Sequence, residues 1–345
     1  MLIPPDVPGL LQDAVDAGVT PGAVLAVGDG AGASELLAVG GLRWGGARAT
    51  SDTRYDLASL TKVVATLPSL LRLVAAGEVA LDDPVGRFVS SAGWFQQPSL
   101  ADVPVRALLT HTSGLPAWRP LFAQVSHRAT AAAAVLQAPL ERPGELVYSD
   151  LGFMLLGVLV ERVAGERLDA FARREVFAPL GMLATTYGPV AGVPVAPTED
   201  CGWRGRVLEG EVHDENATVW EGVAGHAGLF GTAGDLLRYA RAWAIRDPRL
   251  LPDALMAEAT REHARSADGA RRGLGWALAA AGGFAGAGAT GFGHTGFTGT
   301  SVWCEPDADR VVVLLTNRVH PRRQDAAGIH RLRMAVHEAV RAGSA

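Results

Sequence analysis

The 345-residue chain carries 31 basic and 36 acidic residues, a formal net charge of -5, and is 48% apolar. That length and apolar content allow one large domain or two intimate ones around a sizeable core, and the interspersed charges give no reason to expect a nucleic-acid or membrane-surface partner. Two cysteines, Cys201 and Cys304, lie too far apart to form a metal-ligand pair, and their scarcity fits a reducing compartment.

The first 18 residues lack a basic segment and are interrupted by Pro4, Pro5 and Pro8, unlike a secretion signal. No apolar run reaches the roughly 18 residues of a membrane span. A cytoplasmic protein is the expectation. Residues 8–18 read as an amphipathic helix. Residues 23–28 and 35–40 read as two strands joined by the turn GDGAGAS. Residues 56–76 show Val63, Val64, Leu67, Leu70, Leu71 and Val74 at helical spacing, with Pro68 inside the run predicting a kink or break. From about 80 to 260 the pattern is mostly helical, most strongly over 129–137, 151–164, 168–176 and 233–244. Residues 300–305 and 310–316 read as a strand pair around PDAD, and a last helix is predicted over 326–341.

Strands therefore sit at both ends of the chain and helices fill the middle. The expected class is α+β, a mixed α/β arrangement in which both chain ends build an antiparallel sheet flanked by helices. Residues 1–80 and 265–345 would form that sheet domain, and 81–264 a mainly helical inserted domain. Gly286, Gly288 and Gly291 spell a formal G-x-G-x-x-G. No strand–turn–helix unit surrounds them, so a dinucleotide site is rejected and a flexible approach to the next strand is expected over 279–299.

Lys62 is the only lysine among the 31 basic residues. An arginine stays protonated at any working pH, whereas a lysine can be tuned to give and take a proton. Lys62 stands three residues after Ser59, so on a helix the two share a face. A serine hydroxyl is a weak nucleophile that needs a neighbouring base, and a helix start favours developing negative charge. Tyr148-Ser149-Asp150 follows the turn ERPGE and precedes an apolar helix, a junction at which a tyrosine can point into a cleft. His294-Thr295-Gly296 precedes Phe297 and a strand, whose edge can offer a backbone N–H to a reacting carbonyl. With the Ser59 N–H, the Phe297 N–H would complete a two-donor oxyanion hole.

In this order the three elements resemble the Ser-x-x-Lys, Tyr-x-Asn and Lys-Thr-Gly boxes of class C β-lactamases, D-alanyl-D-alanine peptidases and related esterases, the penicillin-recognising serine hydrolases. The segments LLTHTSGLP (108–116), LDDPV (81–85) and GVAGHAGLFGTAGDLLRYA (222–240) are similar to recurrent stretches of the same family. The likeness runs over roughly residues 20–320. It implies an acyl-enzyme hydrolase without cofactor or metal, with Ser59, Lys62 and Tyr148 catalytic and the active site in the groove between the sheet domain and the helical one. Its substrate would be a small ester, a β-lactam or a short peptide. A non-catalytic binding module of the same fold is the rival, disfavoured because all three boxes are represented.

Two positions depart from the family pattern. His294 stands where many members carry a lysine that binds a substrate carboxylate, which points toward neutral esters or amides. Asp150 stands where asparagine is usual. A carboxylate there should keep Lys62 protonated and leave Tyr148 as the proton acceptor. Asp150, His294, Thr295, Gly296, His213 and Asn216 are the expected substrate-side residues, the last two from the run HDEN at 213–216. His111 and His226, in glycine-flanked segments, read as structural.

Overall fold

The computed structural model describes residues 1–89, 98–280, 283–286, 288–323 and 326–343. An eight-stranded antiparallel sheet is built from β1 (Gly22–Gly28), β2 (Ser34–Gly40), β3 (Ala264–Arg265), β4 (Arg271–Arg272), β5 (Ala277–Leu278), β6 (Phe292–Thr295), β7 (Ser301–Glu305) and β8 (Arg310–Thr316). Their spatial order is β2-β1-β8-β7-β6-β5-β4-β3. The N-terminal hairpin thus pairs with the C-terminal one, Ala23 opposite Thr316 and Gly28 opposite Val311. The predicted joining of the two chain ends in one sheet is what the fold contains.

Every residue of β1 is buried, because both faces of the sheet are covered. Leu25 and Val27, with Val312 and Leu314 of β8, pack under α1 (Val7–Asp16) and the C-terminal helix Ala327–Ala342. Their alternates Val24, Ala26, Val311 and Val313 pack with Leu236, Leu237 and Ala240 of the helix Ala233–Ala244. A strand buried on both sides reads as a continuous apolar run rather than an alternation, which is the pattern GAVLAVG shows.

The stretch expected as one helix from 56 departs from that reading. Tyr55–Asp56 is a short strand, paired with Leu229–Gly231, which in turn pairs with Thr186–Tyr187. The helix begins only at Leu60, runs as a wide π turn over Lys62–Thr66 and becomes α-helical over Leu67–Ala75. Pro68 explains the wide turn. It has no N–H to give to the preceding turn, and the carbonyl of Val63 is met instead by the buried Tyr239 hydroxyl. The helix does not break at Pro68.

In the middle of the chain the helix Asp150–Ala164 is buried along most of its length. It packs against Leu67–Ala75, Val105–Leu109 and Arg128–Leu136. The 168–176 run is α-helical only to Ala172 and continues as a second π turn, Arg173–Phe177. Residues 279–299, expected as an approach to a strand, contain the strand β6 itself; Ala281, Gly282 and Ala287 lie outside the described residues. Among the described residues no helix is long and apolar enough to cross a membrane.

Candidate active site

Ser59 sits in a tight turn between a strand and a helix. Ala58, just before it, has φ +46°, a backbone region that non-glycine residues rarely adopt. The turn is held from several sides. The buried Asp56 carboxylate accepts the N–H of Ala58 at 2.8 Å and of His213 at 2.7 Å, while Thr298 and Thr300 donate to the carbonyls of Asp56 and Leu57. Burial pushes the Asp56 carboxyl above the usual range, against the lowering effect of the His213 bond. Gly296 lies directly against this turn. A Cβ there would come within 2.5 Å of the Leu57 carbonyl oxygen and 2.2 Å of Thr300 Oγ1, so the strand end can meet the Ser59 turn only if position 296 is glycine.

One helical turn on, Lys62 is completely buried. Its Nζ donates to Ser59 Oγ at 3.0 Å and to the His226 carbonyl at 3.3 Å, and lies 2.7 Å from Asp150 Oδ1. It also stands 4.9 Å from the centre of the Tyr148 ring. Burial works against its charge, but the Asp150 carboxylate and then the Tyr148 phenol outweigh that, so its pKa lies above the ordinary lysine value. An ammonium so held is a hydrogen-bond donor and an electrostatic anchor rather than a base.

Tyr148 is presented at the N-terminus of the helix Asp150–Ala164. Ser149 caps that helix, its Oγ accepting the Gly152 N–H at 3.2 Å. The segment HTSGLPA clamps the junction from outside. Val147 N–H donates to the His111 carbonyl, Ser149 N–H to His111 Nδ1, Ser149 Oγ–H to the Pro116 carbonyl and Asp150 N–H to the Ala117 carbonyl.

The third wall is β6 and the turn after it. His294 is buried, its Nδ1 2.8 Å from the Thr295 carbonyl and its Nε2 without a partner. Burial first, and the cations Arg272 and Lys62 next, hold its pKa well below the ordinary histidine value. His294 is therefore a neutral ring. The N–H groups of Ser59 and Phe297 donate to no protein acceptor among the described residues, and both residues line the same two cavities.

Those cavities meet at Ser59, Tyr148 and Phe297. One, of about 340 Å³, adds Arg272, His294, Thr295, Gly296, Arg318 and Arg333. The other, of about 240 Å³, adds Trp118, Asp150, His213, Asp214, Glu215 and Arg323. A larger groove of about 820 Å³ elsewhere holds none of the candidate catalytic residues. Of the substrate-side residues expected from sequence, Asp150, His213, His294, Thr295 and Gly296 line one cavity or the other. His213 stacks on Phe297 with ring centres 5.7 Å apart, and its Nε2 lies 2.9 Å from Glu199. Asn216 departs from the expectation. It is fully buried, and its amide is spent on the Phe122 N–H and the Arg119 carbonyl, so it shapes a loop instead of facing the cavities.

Sequence reasoning missed Arg272. Its Nε and Nη1 are buried without a hydrogen-bond partner, and its guanidinium carbon lies 5.4 Å from the Tyr148 ring centre. Burial disfavours its charge and no carboxylate among the described residues pairs with it. No motif marks it. Only strand pairing, Arg272 beside Ala277 and Ala277 beside Gly293, brings it to the strand that carries His294. Asp56 was also missed, although an acid in the apolar run YDLASL was a visible signal.

A family model described as Beta-lactamase matches residues 8–336. The chain is 34% identical over 229 residues to a protein of Escherichia coli (strain K12) named "Putative D-alanyl-D-alanine carboxypeptidase", covering 55% of this chain and 50% of the relative. A protein of the same name from Salmonella schwarzengrund (strain CVM19633) is 29% identical over 320 residues, 79% of this chain and 71% of the relative. The chain thus spans only half the length of the first of these. Among solved structures, D-amino acid amidase from Ochrobactrum anthropi SV3 superimposes with a TM-score of 0.77 at 23% identity, covering 98% of both chains.

Proposed function

Because the chain belongs to the beta-lactamase family of serine hydrolases, we propose that it cleaves an amide bond next to a free carboxylate, as in the C-terminal residue of a short peptide. The observation that carries this reading is Arg272, a buried guanidinium with unspent donors in the cavity that also holds Ser59 and Tyr148. Guanidinium–carboxylate pairing is strong and directional, and an unpaired buried charge is costly until something pairs with it. The expectation of neutral substrates rested on His294 alone; Arg272 offers the positive charge which that histidine lacks. The name borne by the two bacterial relatives, a D-alanyl-D-alanine carboxypeptidase, supports the same class.

In this reading Ser59 Oγ attacks the carbonyl carbon and its proton passes to Tyr148, whose phenolate form the Lys62 ammonium favours. The Ser59 and Phe297 N–H groups hold the oxyanion. Tyr148 then protonates the departing amine, leaving an acyl group on Ser59. Water, relieved of a proton by Tyr148, attacks that ester and frees the acid and the serine.

A second reading, hydrolysis of simple esters, is favoured by Phe297 and Trp118, which are about half exposed at the cavity mouths and suit an uncharged apolar group. One experiment separates the two. An N-acyl D-alanyl-D-alanine should be cleaved with a kcat/KM at least about tenfold above that of its C-terminal amide, and Arg272→Gln should erase that preference. Equal values for acid and amide in the wild type, with turnover of short esters, would favour the esterase instead.

A further inference from the structure

We propose that His111 is the positioning residue for Tyr148, acting through the backbone on either side of it. Tyr148 lies in a stretch without regular structure, ahead of the helix cap Ser149. Its direction therefore depends on what holds its neighbours. Both are held by one residue. Val147 N–H donates to the His111 carbonyl at 2.9 Å, and Ser149 N–H donates to His111 Nδ1 at 3.0 Å. The N–H groups one residue before and one after Tyr148 are thus fixed to a single point, which sets the course of the chain through Tyr148 between them.

The imidazole has a second contact with the same tyrosine. Its ring centre is 4.6 Å from that of Tyr148 and 5.2 Å from that of Phe153, so it fills the space behind the phenol. Because Nδ1 accepts a hydrogen bond, the proton of the neutral ring is on Nε2. That atom is buried and has no partner. The backbone is also unusual. His111 has φ +60°, the left-handed region that most side chains avoid and that asparagine and histidine tolerate better. Carbonyl and ring acceptor converge on one segment from that conformation.

The inference rests on the reading that Tyr148 moves the proton, and a double-mutant cycle tests the two apart. His111→Ala removes acceptor and ring; His111→Asn keeps a side-chain acceptor and tolerates the left-handed backbone. On a nitrophenyl ester that the wild type turns over, His111→Ala should lower kcat by about 10- to 100-fold with little change in KM, the scale at which small misplacements act. His111→Asn should recover a large part of that loss. In a Tyr148→Phe background His111→Ala should cost less than about twofold, since nothing remains to be positioned. An equal loss in both backgrounds, or His111→Ala within about threefold of wild type, overturns the role. Should His111→Ala not fold, His111→Asn in both backgrounds reads the same coupling, with a measurable loss expected only where Tyr148 is present. Near-normal activity of Tyr148→Phe itself would instead overturn the proposed mechanism.

Discussion

The Lys62 ammonium stands 2.7 Å from the Asp150 carboxylate and 3.0 Å from the Ser59 hydroxyl, so one buried amine joins the carboxylate to that hydroxyl. Asp150 heads a helix, where the helix dipole also favours its negative charge.

Asp150→Asn removes the strongest influence that holds Lys62 charged, after which burial dominates. The folded-state pKa of Lys62 should therefore fall. If the ammonium form is the active one, the alkaline limb of kcat/KM moves to lower pH, by about one to three units, the range over which a neighbouring opposite charge acts. The linkage has the same sign. A raised folded pKa stabilises the fold below the unfolded value of about 10.4 and is lost as pH rises through the folded one. An alkaline limb that does not move in Asp150→Asn would count against this role.

A serine-directed phosphonate should label the protein once, at Ser59, and Ser59→Ala should abolish the label with little change in Tm, since Ser59 is only half-buried. Lys62→Arg keeps the charge but not the fit. Labelling and turnover should both fall by about 10²- to 10⁴-fold. The wider guanidinium in a fully buried site should also cost about 1–3 kcal/mol of stability, visible as a lower Tm. Intact mass and a thermal melt on the two variants decide the matter.

Tyr239→Phe should leave the Val63 carbonyl buried and unpaired, at a cost of about 1–3 kcal/mol. Pro68→Ala restores an N–H one turn on and should recover part of that loss in the double variant. Denaturant melts of the four proteins test this. Additive losses would show that Pro68 and the Tyr239 hydroxyl are unrelated.

His337 is buried, and burial first, with Arg341 and Arg333 next, pushes its pKa down to about 3. A depressed folded value means that the unfolded chain binds the proton more readily. The neutral ring's contribution is complete above the unfolded value of about 6.5 and is lost as pH falls from there toward 3. At pH 5 that amounts to about 2 kcal/mol relative to pH 7.5. His337→Leu should lose that much less stability than the wild type between the two pH values. Parallel pH dependences of the two proteins would sink the assignment.

Much of this molecule is legible in one dimension, because the features concerned are local. GAVLAVG and RVVVLLT declare buried strands through unbroken apolar runs, and the helix 233–244 was read to the residue from its spacing. Ser59 and Lys62 find each other across one helical turn, and the sole lysine drew attention to itself by composition. Tyr148 was legible as a helix-start junction, which Ser149 caps as its residue type suggests.

What the sequence could not supply was set by contacts between distant segments. The helix behind Ser59 starts late because Asp56 pairs with Phe230 across the sheet, and it widens because a tyrosine 171 residues beyond Pro68 is there to meet the Val63 carbonyl. Asn216 looked like a substrate contact beside His213, yet the loop at 119–122 consumes its amide. Arg272 carries no motif at all; strand order alone brings it to the cavity that Ser59 lines. Short-range periodicity follows from the geometry of a single helix or strand and is written in neighbouring residues. Burial, tautomer and unpaired charge depend on which remote groups share a volume, and only the tertiary fold decides that.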